Sequence, residues 1–124
     1  MQGLHLTADL SGCAASQPAL TDAAALRALC RRAVAEAGLQ PVAECFHAFP
    51  AEDGEPRGIT GVVLLAESHL AVHTWPELGV VTLDLYVCHR HADNSARAEA
   101  ALAALLPGFA AAEARVQRIR RGPP

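Results

Sequence analysis

Between residues 59 and 88, three β-rich apolar segments follow one another with almost no chain between them: 59–66, 69–74 and 79–88. Parallel neighbours need a crossover of a dozen residues or more, so strands this closely spaced pair as antiparallel hairpins. Pro76 stops the middle one. Residues 3–10 also alternate, with Leu4, Leu6 and Ala8 on one side and His5, Thr7 and Asp9 on the other, and 41–49 and 111–119 read as further strands. Two helices complete the pattern. In 22–37, Leu26, Leu29, Cys30, Ala33, Val34 and Ala37 recur at helical spacing, with Thr21 as the expected N-cap and Gly38 just past the end. In 94–106, Ala98, Ala101, Leu102, Leu105 and Leu106 share a face and Pro107-Gly108 ends the run. The order β-α-β-β, then β-β-α-β, suggests a weak internal duplication. The expected fold is α+β: a two-layer α/β sandwich, an antiparallel sheet with both helices on one face and the other face covered or polar.

A chain of 124 residues, 52% apolar with few aromatics, suits one domain over 1–124 with an aliphatic core. A net charge of -3 argues against nucleic acid and anionic membrane surfaces, which need a concentrated basic face. Arg115, Arg118, Arg120 and Arg121 form the only basic cluster and read as a solubilising tail. No apolar run approaches the roughly 20 residues of a membrane helix, and no basic segment leads into an apolar one at the N-terminus, so the expected location is cytoplasmic. Cys13, Cys30, Cys45 and Cys88 form no C-x-x-C pair, and free thiols are expected. The loop 50–58 is acidic, with Glu52, Asp53 and Glu55 read as solvated.

The densest chemistry lies in Ala66-Glu67-Ser68-His69-Leu70-Ala71-Val72-His73-Thr74-Trp75-Pro76-Glu77, where two carboxylates, two imidazoles and two hydroxyls sit beside an apolar run. This stretch resembles the self-cleavage segment of the prokaryotic S-adenosylmethionine decarboxylases, pyruvoyl enzymes that make their cofactor from an internal serine. The resemblance is close over 60–88 and looser elsewhere. It implies cleavage between Glu67 and Ser68 into chains 1–67 and 68–124. The Ser68 hydroxyl attacks the Glu67 carbonyl to give an ester, and β-elimination releases a chain ending at Glu67. The remaining dehydroalanine rearranges and loses ammonia, leaving the pyruvoyl group at position 68. That group condenses with a substrate amine and accepts the electrons freed as carbon dioxide leaves.

The same resemblance distributes the supporting roles. His73 moves protons during processing, and Thr60, in Gly58-Ile59-Thr60-Gly61 where the family has a serine, stabilises the oxyanion. Cys88 protonates the product carbanion, although Val87 and His89 flank it where the family has Thr and Gly. Glu77 is implied at the ribose hydroxyls and Phe49 on the adenine. The expected substrate is S-adenosylmethionine and the product the aminopropyl donor for spermidine. A homo-oligomer, at least a dimer, is expected. Within the family, arginine or ornithine is the alternative substrate. A rival of another class is a metal-binding protein using His69, His73, Cys88, His89 and His91. It is disfavoured because residues four apart on a strand are too distant to chelate one ion, and no metal is expected.

Overall fold

A computed structural model describes all 124 residues. Six strands form one antiparallel sheet: β1 (Gly3–Ser11), β2 (Pro41–Ala48), β3 (Ile59–Leu65), β4 (Ser68–Trp75), β5 (Val80–Cys88) and β6 (Glu113–Arg121). Their order is β2-β3-β4-β5-β1-β6. The hairpin run expected from spacing is the centre of the sheet. β1 pairs with β5 and β6, which brings the N-terminal strand beside the C-terminal one.

Helices α1 (Pro18–Thr21), α2 (Ala23–Glu36) and α3 (Ser95–Leu105) lie on one face, α2 against β2 and β3 and α3 against β5 and β1. Asp22, not Thr21, caps α2: its carboxylate accepts from the Ala24 and Ala25 amides at 3.0 and 3.4 Å. Thr21 instead ends the one-turn α1, which Pro18 starts and which composition alone did not reveal. Alternation sends Leu6, Ala8, Leu10, Leu70, Val72, Val81, Leu83, Leu85 and Val87 into the helical layer, where they meet Leu26, Cys30, Val34, Leu105 and Phe109. No helix is long and apolar enough to cross a membrane.

The arginine-rich end is a strand and not a tail. Arg115, Arg118, Arg120 and Arg121 all lie in β6, in register with β1, and Arg118 grips Glu99 of α3 with two nitrogens. That contact holds the Glu99 carboxyl below its ordinary range. The strand expected over 111–119 is thus present as β6 and runs two residues further, so that Arg120 and Arg121 belong to it as well.

The face opposite the helices is open. The registers line up His47, Thr60, His73, Thr82, Asp9 and Arg115 in one row across all six strands, and Leu64, His69, Tyr86, His5 and Ile119 in a parallel one. Leu64 and Ile119 are 45% and 43% exposed, and Trp75 is 37% exposed at the end of β4. This face is therefore polar but studded with large apolar groups.

Thr74 is the single buried polar side chain. Its hydroxyl accepts from the Ile59 amide at 2.9 Å and donates to the Leu20 carbonyl at 2.8 Å, tying β3 and β4 to α1. Gly58 lies so close that a Cβ would come within 1.7 Å of the Thr74 carbonyl oxygen, which explains a glycine before Ile59. Thr74→Val keeps the shape but orphans two buried backbone groups, so stability should fall by about 2 to 4 kcal/mol. A lower urea midpoint at unchanged slope would register this, and an unchanged midpoint would refute it.

Candidate functional site

The β3–β4 connection is two residues long. Leu65 pairs with Ser68, leaving Ala66 and Glu67 as the turn, and Glu67 sits at φ 59. This left-handed conformation costs a non-glycine residue about 1 kcal/mol or more, and it falls on the residue whose carbonyl precedes Ser68. Around the turn, the end of β5 and the loop after it supply the remaining groups. The Ser68 hydroxyl accepts from the Cys88 amide at 3.1 Å. The Cys88 thiol faces the Glu67 carboxylate at 3.8 Å, and Arg90 holds the other Glu67 oxygen at 3.0 Å. Beside them opens a cleft of about 820 Å³ lined by Met1, Gln2, Glu67, Tyr86, Cys88, His89 and Arg90.

Cys88 is a buried thiol with a partner facing a cleft. Cys30, by contrast, is sealed in the core and pushed up to about 12 by burial, with Glu44 adding to the effect, so it stays a neutral packing residue.

A second group gathers at the opposite end of β4. Thr60 pairs with His73 across β3 and β4, and their side chains hydrogen-bond at 3.1 Å between Oγ1 and Nδ1. They line a smaller cavity of about 310 Å³ with Phe49, Arg57, Trp75 and Glu77. Phe49 is 50% exposed, edge-on to His47 at 4.8 Å, and so is available as an aromatic surface. Trp75 lies over His73 at 5.9 Å. Arg57 approaches Glu77 at 4.0 Å and binds Glu52 at 3.3 Å, so Glu52 is paired and not merely solvated.

The expected residues thus form two clusters, Glu67, Ser68 and Cys88 at one end and Phe49, Thr60, His73 and Glu77 at the other. His73 does not stand beside Ser68 within one chain. Five residues along a strand span about 17 Å, and the odd spacing turns the two side chains to opposite faces. Sequence reasoning missed Arg90, Arg57 and Trp75. Trp75 was legible as the same-face neighbour of His73, whereas the two arginines act from loops whose course local pattern does not fix. Of the metal alternative, His69 and His73 lie on β4 while Cys88, His89 and His91 lie at and beyond the end of β5, and no group of three or more His, Cys, Asp or Glu that could hold an ion is found.

Comparison with known proteins gives a consistent picture. The family model described as S-adenosylmethionine decarboxylase matches residues 4–122. A relative from Pyrococcus horikoshii, named S-adenosylmethionine decarboxylase proenzyme, is 36% identical over 120 residues, 97% of this chain and 78% of that protein. A proenzyme of the same name from Moorella thermoacetica is 41% identical over 86 residues, 69% of this chain. The match spans 63% of the Moorella protein and 58% of a relative from Aquifex aeolicus, less than two thirds of either. The crystal structure of the adenosylmethionine decarboxylase from Aquifex aeolicus superposes with a TM-score of 0.82 at 33% identity, covering 97% of this chain and 90% of that one. With the six-stranded antiparallel α+β fold and a match over nearly its whole length, the chain belongs to the S-adenosylmethionine decarboxylase family.

Proposed function

We propose that this chain is a proenzyme that cleaves itself between Glu67 and Ser68, and that the product is a pyruvoyl-dependent decarboxylase of S-adenosylmethionine supplying the aminopropyl donor for spermidine. The observation that carries the reading is the strained Glu67-Ser68 turn with the Cys88 thiol against it. The two-residue turn holds the nucleophile next to its carbonyl in a fixed geometry, the condition under which an intramolecular attack gains most. The Glu67 acyl group moves from nitrogen to Ser68 Oγ. Elimination then expels that oxygen with the new Glu67 carboxylate, and water replaces the liberated nitrogen as ammonia. The residues present fit a pyruvoyl group at position 68, because the roomy cleft beside Cys88 leaves space for a substrate amine to approach. Once formed, that group supplies an electrophilic carbonyl and an electron sink for loss of carbon dioxide. Cys88 is the proton donor to the product.

The distance between the two clusters supports a homodimer as the working unit. Thr60 and His73 serve the Ser68 of the partner subunit, and Phe49 and Glu77 receive the nucleoside there. The open sheet face, with Leu64, Trp75 and Ile119 exposed, offers the apolar surface for such pairing.

For the substrate, an adenosyl group offers a flat base to Phe49 and Trp75 and ribose hydroxyls to Glu77. A guanidinium or ammonium tail needs a free carboxylate, and Arg57 already faces both Glu77 of this cavity and Glu52 of the loop. S-adenosylmethionine is the better fit. Carbon dioxide release from carboxyl-labelled S-adenosylmethionine, arginine and ornithine at equal concentration should favour the first by at least tenfold. A preference for either amino acid would overturn the substrate assignment and leave self-cleavage standing.

A further inference from the structure

Cys88 ends β5, and beyond the last ladder bond, from the His89 amide to the Gln2 carbonyl at 2.7 Å, the chain to α3 is closed by side chains. The His89 ring, 19% exposed, accepts the Asn94 amide at Nδ1 over 3.0 Å. A peptide N–H can only donate, so Nδ1 carries the lone pair and the ring proton sits on Nε2, which meets Ser95 Oγ at 3.3 Å. Asn94 stands at the N-cap of α3, where its type usually caps the helix, yet it makes no side-chain cap. Its Nδ2 instead donates to the Cys88 carbonyl at 2.8 Å, while Asp93 takes over the first helical amide, that of Ser95, at 2.9 Å. The helix start gives up its usual cap to hold the residue that carries the thiol.

We propose that His89 is a positioning residue: by fixing Asn94, it holds Cys88 at the strand end so that its thiol keeps its aim. The inference rests on the reading of Cys88 as proton donor to a group derived from Ser68. Before cleavage, the backbone of residue 88 is held by two side chains, through its amide by Ser68 Oγ and through its carbonyl by Asn94, while its thiol faces Glu67. Self-cleavage removes the first hold, because Ser68 Oγ departs with the Glu67 carboxylate. The Asn94 bond to the Cys88 carbonyl, set by the His89-Asn94 contact, is then the side-chain anchor left to the Cys88 backbone during turnover. A glycine at 89 has no ring to offer, so this anchor belongs to the histidine this chain carries.

The Ser68→Ala chain isolates that anchor, since it lacks the serine hydroxyl and needs no turnover to be read. Alkylation of Cys88 by iodoacetamide, resolved by peptide mass, should be about 3- to 10-fold faster in Ser68→Ala/His89→Ala than in Ser68→Ala, the factor expected for losing one net hydrogen bond. His89→Asn, which keeps an acceptor near Nδ1, should bring the rate back to within twofold, and Asn94→Ala should mimic His89→Ala. In processed enzyme, His89→Ala should lower the number of turnovers before inactivation by a similar factor. A Cys88 rate in the His89→Ala and Asn94→Ala backgrounds no faster than in Ser68→Ala alone would overturn the proposal. A parallel rise at the fully buried Cys30 would overturn it too, as a sign of global loosening. If wild-type chain never cleaves, the functional reading falls, and the alkylation contrast still decides whether His89 positions Cys88.

Discussion

Ser68→Ala is expected to remain a single chain of 124 residues under denaturing conditions, where the wild type separates into 1–67 and 68–124. The effect should be complete on any practical timescale, because the substitution removes the only oxygen that the Glu67-Ser68 turn places for an intramolecular attack, and an unassisted peptide bond does not break under these conditions. The substitution should leave the fold intact. Ser68 is partly exposed at a hairpin end, and its hydroxyl accepts one bond from the Cys88 amide, so stability should change by about 1 kcal/mol. Intact mass measures the outcome directly, and the wild-type fragment beginning at 68 should resist Edman degradation because it has no amino group. A wild-type chain that stays whole on long incubation would remove the central reading, pyruvoyl chemistry included.

Much of this arrangement was legible because it is local. Once Ala66 and Glu67 are the turn, the two-residue loop fixes the register, and Leu65 opposite Ser68 requires Thr60 opposite His73. That Thr60 and His73 would touch could therefore have been counted off the sequence. The same counting forbids His73 from meeting Ser68, since an odd spacing reverses the face, yet closeness in sequence suggested one cluster. What local pattern does not carry is the insertion of β1 between β5 and β6. Its β1–β6 half joins residues over a hundred positions apart and is decided by which edges remain to be covered. It is also why the arginines of the expected last strand looked merely solubilising: Arg118 makes sense only when Glu99 of α3 stands above it. Arg90 and Asn94 were hidden for a related reason, since each acts from or beside a short loop whose path follows from the elements it joins.

Mixing two inactive variants should restore cleavage, and this is the most direct consequence of two clusters at opposite ends of one strand. A Ser68→Ala chain keeps His73 but has no nucleophile. A His73→Ala chain keeps its nucleophile, but in a dimer with itself it finds no imidazole at either site, so it should stall before cleavage. A mixed dimer with two-fold symmetry holds one site lacking both groups and one site holding both. Made together in equal amounts and paired at random, about half of the His73→Ala chains should be cut, and none of the Ser68→Ala chains, a bias readable by mass because the variants differ in weight. Within one chain the roughly 17 Å between positions 68 and 73 leaves no way for the same rescue to occur. Mixed dimers that form but show no cleaved His73→Ala chain would remove the shared site. Efficient cleavage of His73→Ala alone would instead remove His73 from the processing machinery, and with it the need for a second subunit to supply that residue.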